Sequence, residues 1–189
     1  FEGKVEPGVE KHLAMAPEAA IKLRATASGS TVRVNATVSK VKSKSDKLRL
    51  QIALVEDSVR YSGENGTRFH EMVVRNLAVA PLARAKKAEP APASADKPAA
   101  TPQPQGFALR PGKGGRFQYT FDLAKAAADA KAHLEDYETN TRKGEYKFRQ
   151  KKHEIDAGKL SVVAFVQDEA TKKVLQAVYV KVSGGKTAN

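Results

Sequence analysis

Residues 152–182 read KHEIDAGKLSVVAFVQDEATKKVLQAVYVKV. The stretch contains two runs of apolar, largely β-branched residues, and a short polar segment joins them. Runs of this kind, bounded by turn-forming residues, are typical of neighbouring strands in a sheet. We therefore expect a buried β-hairpin in this part of the chain, and we find no catalytic pattern within it.

Strand patterns also occupy the first part of the chain. Apolar and polar residues alternate there with a period of two, which indicates strands with one buried face and one solvated face. Gly29-Ser30 predicts a hairpin turn, and Asn65-Gly66 predicts a tight turn before another strand. The segments with strand character are 21–27, 31–41, 48–54, 68–77 and 107–123.

Residues 79–106 differ in composition from the rest of the chain. Six of the nine prolines fall there, mixed with Ala, Lys, Ser and Gln. Such a segment cannot bury enough apolar surface to offset the entropy lost on ordering. We expect a Pro/Ala-rich insert that is disordered or extended.

One segment has the pattern of an amphipathic helix. It begins after Asp122, a good capping residue, and continues to about Arg142, with Gly144 as the expected end. An apolar stripe along one face of the helix consists of Leu123, Ala127, Ala130, Leu134 and Tyr137. About seven strands, one helix and no βαβ rhythm predict a mainly β protein, an antiparallel β-sandwich.

Composition limits the classes of function. The chain has 189 residues, a formal net charge of +12 and no cysteine. The positive charge favours acidic partners such as nucleic acid, anionic lipid or glycan, or an acidic protein. The lack of cysteine excludes disulfides, thiolate metal sites and a CxxC redox pair within the chain. No apolar run is long enough for a transmembrane segment.

The search for chemistry turns up weak patterns only. His70-Glu71 and His153-Glu154 each place an imidazole beside a carboxylate, but neighbouring strand residues point to opposite faces. The HExxH, GxSxG and P-loop patterns are all absent from the sequence. The Gly-rich segment 110–116 precedes a strand pattern rather than a helix, which favours a flexible turn. We therefore expect no catalytic, cofactor-binding or metal-binding residues in this chain.

Basic residues mark a candidate interaction surface in two places, around the Asn65-Gly66 turn and after the predicted helix. The alternative is that these are solvated side chains of a hairpin and a loop. Nucleic-acid binding lacks support from any motif, since no strand interleaves basic and aromatic residues. The candidate surface residues are Arg60, Tyr61, Arg68, His70, Arg75, Arg142, Lys147 and Arg149.

Four phrases together resemble a known family. They are LRLQIALVEDSVRYSGENGTRFHEMVVRNL (48–77), GRFQYTFDL (115–123), KHEID (152–156) and LSVVAFVQDEATKKVLQAVYVKV (160–182). The chain resembles the β-sandwich module that follows thioredoxin-like (redoxin) domains in secreted or envelope bacterial proteins. The resemblance implies an immunoglobulin-like accessory domain without catalytic residues, located in the periplasm, the outer envelope or the medium. The thioredoxin-like half of such proteins is missing from this chain.

The predicted organisation follows from these observations. Residues 1–19 form a lead-in or linker, 20–182 form the sandwich, interrupted by the 79–106 insert, and 183–189 form a flexible tail. Because the chain begins with Phe1 rather than Met, we expect a processed product or a piece of a longer polypeptide.

Three functions are open at this point. The first is a non-catalytic accessory domain that contacts a protein partner or envelope complex through its basic surface, helix and insert. The second is a fragment of a thioredoxin-like oxidoreductase whose redox domain lies outside this chain. The third is a basic module that binds polyanions, for which peripheral association with an anionic membrane surface is one form.

Overall fold

The computed structural model describes residues 7–11, 14–60, 66–79 and 106–184. Within these ranges, strands alternate with one α-helix of fourteen residues, α1 (Leu123–Asp136), and residues 7–11 are helical. A π-helical turn, Tyr137–Thr141, follows α1, and a 3-10 turn, Ala157–Lys159, precedes the final hairpin. The strands are β1 (Ala20–Ser28), β2 (Thr31–Ser39), β3 (Leu48–Glu56), β4 (Val59–Arg60), β5 (Phe69–His70), β6 (Val73–Leu77), β7 (Phe107–Ala108), β8 (Gly115–Asp122), β9 (Leu160–Asp168) and β10 (Val174–Lys181).

Two antiparallel sheets form the body of the domain. One has the strand order β1-β2-β8, and the other has the order β10-β9-β3-β6, with β7 also paired to β3. The short strands β4 and β5 pair with each other. The predicted fold class, a mainly β antiparallel sandwich with one helix, is confirmed, and so is the hairpin at its carboxyl-terminal end, which is β9 paired with β10.

The core lies between the inner faces of the two sheets. The alternation in β2 buries Val32 and Val34 completely, and Phe121 of β8 is 1% exposed. From the other sheet, the register pairs Ile52 of β3 with Ala164 of β9 on the core face. Burial of one large aliphatic side chain contributes about 1.5–3 kcal/mol, so these alternating faces supply most of the driving force for the sandwich.

The segments just before β1 and just after β10 are hydrogen-bonded to the sheets. Ser183 inserts beside β1, where the N–H of Ala27 donates to the Ser183 carbonyl at 2.8 Å. At the other end, the N–H of Glu18 donates to the Leu175 carbonyl at 3.2 Å, and Ala19 is buried. The ordered sandwich therefore extends one or two residues into the segments that the sequence assigns to the lead-in and the tail.

The expected strand at 68–77 is divided in two. It forms β5 and β6, and Met72 between them adopts a φ of 53°. A bulge between Leu54 and Val55 shifts the register of β3 against β6. Side-chain alternation in the sequence does not reveal a bulge, because the apolar pattern resumes on either side of it.

The helix is confirmed at its start and shorter than expected at its end. The Asp122 side chain caps it by accepting from the Lys125 N–H at 3.0 Å. Regular α-helix stops at Asp136, and a widened π-helical turn continues to Thr141. Gly144 follows with a φ of 80°, which suits glycine. The π-helical turn places Glu138 in the interior rather than in solvent.

The two ends of the insert meet at one point of the fold. The N–H of Gly106 donates to the Ala78 carbonyl at 2.9 Å, and Val79 forms a parallel bridge with Gly106. The predicted disorder of the insert concerns residues 80–105, which lie outside the described residues. Because its ends are hydrogen-bonded neighbours, a short connection can replace the whole segment.

We expect the domain to fold without the insert. Replacing residues 80–105 with a Gly-Ser linker of about four residues should raise the free energy of unfolding by about 1–2 kcal/mol. The gain follows because each halving of loop length recovers about 0.6 kcal/mol of closure entropy. Urea unfolding followed by far-UV circular dichroism measures the difference. A shortened domain less stable than its parent would show that the insert packs on the sandwich.

Candidate interaction surface

A groove lies between α1 and the β4–β6 region. Its volume is about 310 Å³, and we refer to it as the helix groove. Val59, Val73, Ala130 and Leu134 supply its apolar lining. The other residues that line it are Arg75, His70, His133 and Lys152. None of the described residues that line the groove is acidic, so it combines apolar surface with basic groups.

The apolar stripe of α1 provides one wall of the groove. Ala130 and Leu134 lie one helical turn apart on the same face, as the sequence predicted. Both are half-buried, and α1 packs on β6 along this side. The opposite face of α1 carries exposed residues, including an ion pair between Lys125 and Asp129 at 2.8 Å. The helix is thus fixed on the sheet by a narrow apolar seam and leaves the groove open beside it.

Arg75 anchors the chain segment that borders the groove. Its Nη2 donates to the carbonyl oxygens of His153 at 2.6 Å and Glu154 at 2.9 Å. Its Nη1 also donates to the Lys152 carbonyl at 3.4 Å. One guanidinium therefore holds three successive backbone carbonyls, which fixes the path of residues 152–154 against β6.

Glu56 balances the charge of Arg75 inside the protein. The Arg75 Nε lies 3.3 Å from Glu56 Oε2, and the two side chains are 6% and 2% exposed. The N–H is not aligned for a hydrogen bond, so Nε and Oε2 form an ion pair only. The other carboxylate oxygen, Oε1, accepts from the Asp156 N–H at 3.1 Å. Glu56 and Arg75 thus hold the same segment from two sides.

A second internal carboxylate organises the segment between α1 and the groove, residues 142–152, which we call the basic loop. Glu138 Oε2 lies 2.7 Å from the Lys151 Nζ, and its Oε1 accepts from the Phe148 N–H at 2.7 Å. These contacts connect the start of the π-helical turn to the far end of the basic loop. Glu138 is buried, although most glutamates in proteins are exposed.

Aromatic rings pack beneath the basic loop. Tyr137, Tyr146 and Phe148 form a cluster with ring centroids 5.0–6.3 Å apart. The Arg142 guanidinium lies 5.8 Å from the Tyr137 ring centroid and 5.7 Å from that of Tyr146, within cation–π range. The basic loop is therefore an ordered structure with its own small packing unit.

The ion pair with Lys151 holds the pKa of Glu138 below its usual range, and the Phe148 N–H adds to the effect. A carboxylate with a lowered folded-state pKa stabilises the fold above its unfolded pKa, and this contribution is lost as pH falls through the folded pKa. We expect Glu138→Gln to unfold at lower urea than the parent at pH 7, and we expect this difference to shrink as the pH falls toward 3. A difference that persists undiminished at pH 3 would contradict the ionic role of Glu138.

The structure divides the predicted surface residues into three groups. His70 and Arg75 both line the helix groove, although the Arg75 side chain is buried and acts as an internal anchor. Arg60 and Arg68 are exposed near the β4–β5 pair. Arg142, Lys147 and Arg149 are exposed along the basic loop. Tyr61 lies outside the described residues.

Two groove residues were missed as members of this surface. His133 and Lys152 line the helix groove but are not among the predicted surface residues. His133 lies one residue before Leu134 and three after Ala130, so its helical position next to the apolar stripe was the available signal. Lys152 carried no such signal, because only the Arg75 anchor brings it to the groove.

A polar cluster on the other face of the second sheet does not form an accessible reactive site. Ser161 Oγ lies 3.0 Å from the Tyr179 hydroxyl and 3.4 Å from Asp57 Oδ2. Ser161 is fully buried, so a substrate cannot reach its hydroxyl. Across the described part of the chain, no group of three His, Cys, Asp or Glu side chains is arranged to hold a metal ion.

Comparison with known proteins gives one structural likeness. No family model matches the chain, and no curated protein matches it. Among solved structures, it is similar to a domain of the outer membrane lipoprotein Omp28 from Porphyromonas gingivalis, with 14% identity and a TM-score of 0.41. The match covers 89% of this chain and 90% of that chain.

Proposed function

We propose that this chain is a non-catalytic interaction domain that contacts an acidic protein partner through its basic loop and the adjoining helix α1. One observation carries the proposal. The basic loop is held internally by Glu138 and the Arg75–Glu56 pair, while Arg142, Lys147 and Arg149 are exposed residues.

The order of the basic loop favours a recognition role. Binding by a mobile loop costs about 0.5–1.5 kcal/mol for each side chain that becomes immobilised. Here two internal carboxylates and a cluster of three aromatic rings fix the backbone before any partner arrives. Such preorganisation reduces the cost of association, and the basic groups raise the rate of encounter with an acidic surface.

We further propose that the domain acts outside the cytoplasm. The support is the resemblance of residues 48–77 and 152–182 to the module of secreted or envelope bacterial proteins. Within the described residues, no helix has the length and apolar character needed to cross a membrane.

Charge reversal tests the proposed contact. The triple variant R142E/K147E/R149E should lose the proteins that the parent captures from an envelope extract after chemical crosslinking. The matched control is K22E/R24E/R33E, which makes the same change in net charge at exposed positions of β1 and β2. Loss in both variants would indicate a nonspecific effect of net charge, and retention in both would contradict the proposal.

The insert is a further part of the proposed contact. We expect the shortened domain described above to capture less of the partner than the parent does, while the charge-reversal control captures the same amount. Quantification of the crosslinked product at equal protein concentration measures the difference. If capture is unchanged, residues 80–105 do not belong to the contact surface, and the basic loop is its main element.

The basic loop also supports a second candidate, a polyanion-binding module. Arg142 over two tyrosine rings resembles the combination of charge and aromatic surface that contacts nucleic acids and glycans. Binding of this kind weakens steeply with salt, because each contact releases counterions. Titration of heparin between about 50 and 200 mM salt tests it. An affinity that does not change over this range would exclude the module, and a loss of 10-fold or more would favour it.

A further inference from the structure

We infer that the helix groove receives one bulky apolar side chain from an acidic segment of the protein partner. This inference rests on the proposed function, because it assigns the chemistry of the partner at the same surface. The occupant would be an extended peptide in which carboxylates flank a residue such as Leu or Phe.

The shape and lining of the groove favour an anchor side chain. Its volume of about 310 Å³ lies at the low end of ligand sites, which is enough for one large side chain and too small for a folded element. Of the apolar residues that line it, Val59 is buried, and Val73, Ala130 and Leu134 are partly exposed. Covering these aliphatic groups with a leucine or phenylalanine side chain removes apolar surface from water, which favours binding.

The charges around the groove select acidic neighbours for that anchor. His133 and Lys152 lie at its border, and the basic loop continues from Lys152 toward Arg149 and Lys147. Lys152 already has a weak ion pair with the exposed Glu154, with 3.8 Å between Nζ and Oε2. A partner carboxylate can replace Glu154 at little cost, since ion pairs between exposed groups are weak.

Peptide selection on the purified domain tests the inference. A random twelve-residue library displayed on phage should yield peptides with several Asp or Glu residues around one Leu, Phe or Trp. The selected peptides are then synthesised with a fluorescent label, and their anisotropy is measured against the parent and two variants. Ala130→Trp fills the groove, and Ala128→Trp places the same side chain at an exposed position of α1. Urea unfolding confirms that both variants are folded.

The inference predicts that A130W weakens binding at least 10-fold and that A128W leaves it within 2-fold of the parent. If acidic peptides bind the parent and A130W equally, the groove is not the anchor site, while the proposed charge-based contact still stands. If the selection enriches no acidic sequences, the inference about the groove is wrong, and the result also counts against the proposed function. If no peptides are enriched and the parent binds decanoate while A130W does not, the groove is a lipid site instead.

Discussion

Arg75→Ala is expected to lower the free energy of unfolding by about 3–5 kcal/mol, the largest effect of any single substitution outside the core. The substitution leaves the Glu56 carboxylate, 2% exposed, without its ion-pair partner. An uncompensated buried charge costs this much because desolvation is no longer offset by an opposite charge. Urea unfolding at pH 7 and 25 °C, followed by circular dichroism, measures the change.

Two variants show whether the cost comes from the buried charge. Arg24→Ala, at an exposed position of β1, should change stability by less than about 0.5 kcal/mol. The double variant E56L/R75M should recover part of the loss, because apolar groups of similar volume replace a buried ion pair well. Recovery should be incomplete, since the carbonyls of His153 and Glu154 lose their donor. Equal losses in R75A and R24A would contradict the anchoring role of Arg75.

Gly114→Ala is expected to lower the free energy of unfolding by about 3 kcal/mol. A Cβ atom at position 114 would lie 1.9 Å from the Val38 carbonyl oxygen and 2.7 Å from its carbonyl carbon. Both contacts are with backbone, so no side-chain rotation relieves them, and β8 must move away from β2 where Val38 pairs with Gly115. Overpacking of this kind costs about 1–3 kcal/mol, with the upper end expected where the backbone has to shift.

Gly112→Ala is the matched control in the same loop. No atom lies within 4 Å of a Cβ at position 112, but the φ of 64° is in the left-handed region. The expected cost is about 1 kcal/mol, which comes from backbone conformation alone. Gly114→Ala should therefore unfold at clearly lower urea than Gly112→Ala. If Gly112→Ala unfolded at lower urea than Gly114→Ala, the β2 and β8 strands would be packed less closely at Gly114 than the structure indicates.

The sheets were predictable because their signals are local. Val32 and Val34 of β2 occupy alternate positions in the sequence, and strand geometry alone places alternate side chains on one face. The helix cap at Asp122 was also predictable, because it depends on one residue and its neighbours.

The interaction surface was predictable only in part. The sequence identifies His70 and Arg75 as basic residues near a turn, but it does not show that Arg75 is buried against Glu56. That pairing joins β6 to the end of β3 and depends on the bulge at Leu54/Val55. A bulge changes the face of the following residues, and one sequence does not show where it occurs.

The basic loop illustrates the same limit. The sequence shows the excess of positive charge after the helix and predicts Arg142, Lys147 and Arg149 as surface residues, but it does not predict that the loop is ordered. Its order depends on the π-helical turn that directs Glu138 inward to Lys151. Such turns occur where tertiary contacts reward the wider helix, so local propensity does not predict them.

The most direct test of the proposed contact is hydrogen–deuterium exchange of the domain with and without the protein that it captures. Binding should slow exchange in the basic loop, residues 142–152, and in α1, Leu123–Asp136. Exchange in β1 and β2, where the control charges lie, should be unchanged. Protection confined to β1 and β2, with the basic loop exchanging as fast as in the free domain, would contradict the account.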